Sequence, residues 1–172
     1  MPLRNRFPAI IALALLAGAA PVRATDPAAS RIDFGALAGR WQVVGVAVGP
    51  GVQALVADDP AYMGRTLAIG PGLLAWDDGA AGRATTGDRC EDPVTARQSG
   101  PAAAAYRQRF AAQLARFRVR HPDPHAVECD RGQWGPEGAG GAILFPAPRG
   151  RLAMSWYDGA LLLLDRVPAA RQ

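Results

Sequence analysis

Asp158-Gly159 stands between two apolar runs of strand length, 151–157 (RLAMSWY) and 160–166 (ALLLLDR). An Asp-Gly pair in that setting specifies a tight β-hairpin, because the favoured two-residue turn needs positive φ at both central positions. This feature limits the chain more than any other, since it commits the C-terminal third to antiparallel pairing. A third run, 142–146 (AILFP), precedes it. Upstream, 40–48 (RWQVVGVAV) is β-branched and apolar, and 62–69 and 73–77 read as strands joined by Gly70-Pro71-Gly72. Residues 83–91 give a short strand into Cys90, and 125–129 give another. Residues 49–61 read as a long loop, and Gly132 to Gly141 as a flexible segment. The chain is therefore expected to be mostly β: an antiparallel meander of seven or eight strands, closed into a barrel that hides its edges.

One segment changes period. Tyr106, Phe110, Leu114 and Phe117 recur at helical spacing after Pro101, which predicts one inserted amphipathic helix over about 101–118. Its other face carries Arg107, Arg109, Gln113 and Arg116, and Arg118 and Arg120 follow with no acid between. That face reads as solvated, or as a patch for an anionic headgroup or a partner.

The N-terminal residues place the chain in a compartment. Arg4 and Arg6 precede an apolar stretch, Ile10 to Ala20, and Val22-Arg23-Ala24 suits signal-peptidase cleavage. Residues 1–24 are expected to be a signal peptide, 25–36 a flexible leader and 37–168 a single β-barrel domain, periplasmic or secreted. The apolar stretch is shorter than the roughly 20 residues that span a bilayer, so no transmembrane segment is expected. Cys90 and Cys129 are then expected to form a disulfide. Closing a loop of about 40 residues is worth roughly 4 kcal/mol by chain entropy. All 19 basic residues are Arg, a bias that runs along the whole chain. Three of them lie in 1–24, leaving 16 Arg against 15 acids. A near-neutral domain has no general electrostatic basis for binding nucleic acid.

Gly39-Arg40-Trp41, at the head of the first strand, resembles the G-x-W signature of lipocalin-like (calycin) barrels. In that family the Trp closes the barrel floor, and a basic residue from the last strand packs across its indole. Arg166, ending the final strand, stands where that partner would be. A guanidinium over an indole face gains cation–π attraction while the ring seals the core. The resemblance implies a protein that holds a small apolar or lipid-like molecule inside the barrel. Val44, Val46, Leu67, Ile69, Leu74, Trp76 and Met154 would then form the wall.

Enzyme constellations are scarce. Ser30, Ser99 and Ser155 lie in neither G-x-S-x-G nor S-x-x-K. His121 and His125 flank Pro122-Asp123-Pro124, which forbids a helix, so their spacing does not put both rings on one face. That stretch reads as an exposed turn, not a metal site. Asp58-Asp59 and Asp77-Asp78 sit in turn-like sequence. No catalytic residue, metal or cofactor is expected. The leading expectation is a non-enzymatic exported binding protein with a small apolar ligand. The alternative is a protein-interaction module, such as an exported hydrolase inhibitor, working through loops 49–61 and 130–141 with Arg107, Arg109, Arg116 and Trp134 as contacts. An enzyme is the third.

Overall fold

The computed structural model describes residues 32–51, 54–77, 88–136 and 141–169. The segment 1–24, most of the leader, and Asp78 lie outside the described residues. The elements are β1 (Gly39–Ala47), β2 (Thr66–Ile69), β3 (Leu73–Trp76), β4 (Arg89–Glu91), β5 (Val94–Arg97), α1 (Gly100–Arg109), α2 (Ala111–Arg116), β6 (His125–Glu128), β7 (Arg131–Gln133), β8 (Ile143–Ala147), β9 (Arg151–Ser155) and β10 (Leu161–Arg166). All ten strands belong to one curled antiparallel sheet, in the order β5-β6-β8-β9-β10-β1-β2-β3-β4-β7. No helix among the described residues is long and apolar enough to cross a membrane.

The count is ten, not seven or eight, because two strands are broken. Asp92-Pro93 separates β4 from β5, and Cys129-Asp130 separates β6 from β7. Pro93 cannot donate to a ladder, and Asp92 takes a φ of 48°. The register nevertheless runs straight through: Arg89↔Gln133 to Glu91↔Arg131 continues as Val94↔Glu128 to Arg97↔His125. Asp130 N–H donates to Glu91 O at 3.0 Å across the break. Cys90 and Cys129 are joined there by a disulfide, with Cα atoms 5.2 Å apart.

The segment read as flexible contains β7. Gly132 is held there at φ 79°, and a Cβ on it would lie 2.1 Å from Arg89 O, so only glycine fits. The strand expected over 62–69 begins at Thr66, because Asp59 nucleates turns at 59–65. The helix expected over 101–118 is two helices meeting at Phe110. Gln113, expected on the solvated face, is buried instead, because its Nε2 donates to Gly159 O in the β9–β10 turn at 3.0 Å. Phe34, within the leader, is buried in the core, and Thr95 Oγ1 donates to Ile32 O at 2.9 Å.

Two hydrophobic clusters explain the apolar C-terminal strands. Leu162 and Leu164 face an inner cluster with Trp41, Leu67, Leu74, Leu144 and Met154. Leu161 and Leu163 face an outer cluster with Phe110, Leu114, Phe117, Ile143 and Phe145, formed where the helices cover the sheet. A strand covered on both faces loses its apolar–polar alternation. The turns at both hairpins have positive φ at their two central residues: Arg149 and Gly150 between β8 and β9, Asp158 and Gly159 between β9 and β10.

Candidate functional site

Strand direction and the curl of the sheet sort the aromatic residues into two ends: Trp76 is level with Trp41 across Leu67 in the ladder, yet it packs on Trp156, which follows β9. β1, β3, β7 and β9 run the same way, as the antiparallel pairings require. Trp41 sits at the start of β1; Trp76, Trp134 and Trp156 sit where β3, β7 and β9 finish.

At the Trp41 end the indole itself is fully bonded, while the nearby His125 keeps a buried Nδ1 without a partner among the described residues. Trp41 is buried, and its Nε1 donates to Leu37 O at 2.9 Å. Arg166 is its register partner on β10, with the guanidinium carbon 5.7 Å from the ring centroid. The same guanidinium donates to Ala36 O and Ala38 O. Gly39 has a φ of 141° and lets Arg166 pass close by. At this end Asp123 bonds Arg97 Nε at 2.8 Å and His125 Nε2 at 3.2 Å. Partial burial pushes the Asp123 carboxyl up, but the hydrogen bonds and charges of Arg97 and His125 outweigh it and hold it below the ordinary carboxylate value. The turn read as exposed therefore contains one exposed histidine, His121, and one buried one, His125.

The opposite end is an aromatic cluster. Trp156 lies 5.3 Å from Trp76, 5.5 Å from Trp134 and 6.3 Å from Tyr62, centroid to centroid. The Arg65 guanidinium covers Trp76 at 4.1 Å. Asp88 is buried beside the cluster, where its Oδ1 accepts from Tyr157 Oη at 2.8 Å and Gly135 N–H at 3.3 Å. Trp134 Nε1 donates to Met154 Sδ at 3.1 Å. Trp76 Nε1 and Trp156 Nε1 are buried and have no acceptor among the described residues. A buried donor left unpaired costs about 1–3 kcal/mol, so this end holds two polar groups with unmet demand.

The wall residues sort unevenly. Val46, Leu67, Ile69, Leu74 and Met154 are buried on the inner face, and Trp76 packs at its aromatic end. Val44 does not join them: it is 37% exposed. A register shift between Val43 and Gly45 reverses the alternation, so Val43 and Val46 point inward. The inner positions fill one another, as in many small barrels. Trp134 is not a rim contact either; it is fully buried, because β7 pairs with β4 and carries it into the core. Arg107, Arg109 and Arg116 are exposed but tied to neighbours: Pro122 O, the Phe110 ring and Asp58.

The paired acids serve turns and ion pairs. Asp58 holds Arg116 at 2.6 Å and accepts Val46 N–H, Asp59 accepts from Val56 and Ala61, and Asp77 holds Arg40 at 2.6 Å. Among the described residues no three His, Cys, Asp or Glu side chains converge as metal ligands would.

Sequence reasoning missed an outer groove of about 680 Å³ between the end of α2 and the β8–β9 hairpin. Helix α2 ends with Arg118 N–H on Ala115 O and Val119 N–H on Leu114 O, a closure that puts Arg118 in the left-handed region where glycine is usual. Arg149 occupies the same region in the hairpin turn. Each such residue costs about 1–2 kcal/mol relative to ordinary backbone. The run of five Arg without an acid was the available signal; its meeting with Arg149 and Arg151 depends on tertiary structure. Compared with protein-family models, curated proteins and solved structures, the chain matches none of them.

Proposed function

We propose that the chain is an exported, non-enzymatic binding protein built on a lipocalin-like barrel, which takes a small apolar ligand at its aromatic end. Read through the breaks at Asp92-Pro93 and Cys129-Asp130, the ten strands become eight in unbroken sequence, with the last paired to the first. The Trp41–Arg166 contact supports the same ancestry, since it joins the two ends of the domain across a G-x-W motif.

The observation that carries the ligand site is the pair of buried indole N–H groups, Trp76 Nε1 and Trp156 Nε1, without acceptors among aromatic rings. A flat apolar molecule with one carbonyl or ether oxygen meets both demands of such a place: ring contact and an acceptor. Because the inner positions below are filled and both Nε1 atoms are closed off from solvent, the ligand enters between the rings of this end, which part to admit it. Titration with benzophenone, a neutral aromatic ketone, tests this through intrinsic tryptophan fluorescence. Saturable quenching is expected, weakened about tenfold by Trp156→Phe, which removes a hydrogen bond to the ligand. Quenching that never saturates, or that Trp156→Phe leaves unchanged, contradicts it.

The filled interior favours a second reading, a protein-interaction module. Val56 and Met63, both exposed on the β1–β2 connection, would be its apolar contacts.

A further inference from the structure

Charge, not apolar surface, distinguishes the outer groove. Arg116, Arg118, Arg120 and His121 line it from the end of α2 and the residues that follow, and Arg149 and Arg151 from the hairpin. No carboxylate lines it. Its floor is apolar, with Phe117, Val119 and Leu163 exposed to the groove from the outer cluster.

The partners of these arginines set the groove apart. Elsewhere in the described chain each Arg side chain has a partner, such as Asp77 for Arg40, Glu91 for Arg89 and Arg131, Asp123 for Arg97, the Pro122 carbonyl for Arg107, and Trp41 for Arg166. Among the described arginines, only Arg118, Arg120 and Arg149 have no ion pair, hydrogen bond or ring contact of the side chain, and all three line this groove. An Arg-rich composition alone scatters such residues over the surface; it does not collect them. The helix dipole favours cations at the end of α2, but it does not account for Arg149, which comes from a separate element. Two of the three occupy left-handed backbone, where Gly would be easier and would carry no charge.

We infer that this groove binds a phosphate group attached to an apolar moiety. Several arginines brought to one groove from two elements suit the three oxygens and near double charge of a phosphate monoester better than the two oxygens of a carboxylate. The apolar floor suits the part of the molecule beyond the phosphate. A lipid headgroup and a free phosphate ester share this chemistry. The site is independent of the aromatic end: the β8–β9 turn lies at the Trp41 end of the sheet, where β9 begins.

The test measures two kinds of binding by the purified protein at about 0.15 M salt, where exposed charges more than about 8 Å apart are screened. Calorimetry follows inorganic pyrophosphate, and co-sedimentation follows vesicles containing phosphatidic acid, a phosphate monoester, against vesicles of phosphatidylcholine. Binding of pyrophosphate alone supports the site with a free phosphate ester as its ligand. Retention by phosphatidic acid but not phosphatidylcholine supports it with a lipid headgroup. The double variant R118G/R149G should weaken whichever binding occurs by at least about tenfold. Its melting temperature should be unchanged or higher, because glycine relieves both left-handed positions. Trp156→Phe should leave this binding unaltered, so a failure of the aromatic site does not imitate a failure of the groove. Absence of both kinds of binding, or undiminished binding by R118G/R149G, overturns the inference.

Discussion

The Trp41 end and the aromatic end both bury indoles, yet they treat them differently. At the first, Trp41 donates to Leu37 O, and Arg166 caps the ring while bonding two backbone carbonyls. At the second, Trp76 and Trp156 keep buried N–H groups that none of the described residues accepts. A satisfied ring fixes the fold, and a ring with an unmet donor is available to something else. The same contrast holds for arginine: Arg166 is committed to Trp41, whereas Arg118, Arg120 and Arg149 have no partner among the described residues.

The largest effect should come from the bonded end. Trp41→Ala should cost about 3–5 kcal/mol, the usual range for deleting a buried aromatic, measured by urea denaturation. A cost below about 1 kcal/mol would place Trp41 outside the core. Reducing the Cys90–Cys129 disulfide should cost about 2–4 kcal/mol. Its effect should be greater on hydrogen exchange at Trp134 than at Trp41, because β4 and β7, which the bond clasps, lead to the aromatic end. Equal loosening of both ends would remove that distinction.

A finer comparison substitutes Phe at each end. Trp41→Phe loses a made hydrogen bond and Trp156→Phe loses none within the chain. Trp41→Phe should therefore be less stable than Trp156→Phe by about 1 kcal/mol; the reverse order would contradict the assignment of roles. The smallest effect concerns pH. Asp123 ionises more readily in the folded protein than its reference value of 3.8. Its contribution to stability is thus fully present above that value and is lost as pH falls through the folded-state value. Asp123→Asn should flatten the fall in melting temperature below about pH 4 relative to the wild type. Identical acid slopes would show that Arg97 and His125 do not favour its charged form.

Local signals carried much of the fold. Asp158-Gly159 announces its hairpin because Asp and Gly both tolerate positive φ. Arg149-Gly150 makes an equivalent turn without announcing it, since arginine has no such preference. Cys90 and Cys129 were legible as a pair from their number and expected compartment, but not the break they clasp, which depends on the pairing of β4 with β7. Burial of Trp134 was hidden for the same reason: its glycine-rich surroundings look mobile until Gly132 is seen against Arg89 O. Val44 failed through a single extra residue, because alternation assumes an unbroken register. The candidate sites were the least legible part. Unpaired indole donors and unpaired guanidiniums are defined by what surrounds them in space, and no spacing along the chain encodes that.

The most direct test follows the four indole N–H resonances of the ¹⁵N-labelled protein while benzophenone is added. The signals of Trp76 and Trp156 should move together along one saturable curve, with a smaller shift of the adjacent Trp134 and that of Trp41 nearly still. Movement of Trp41 with the others, or stillness of all four at saturating ketone, would contradict the division of the molecule into a sealed end and a receptive one.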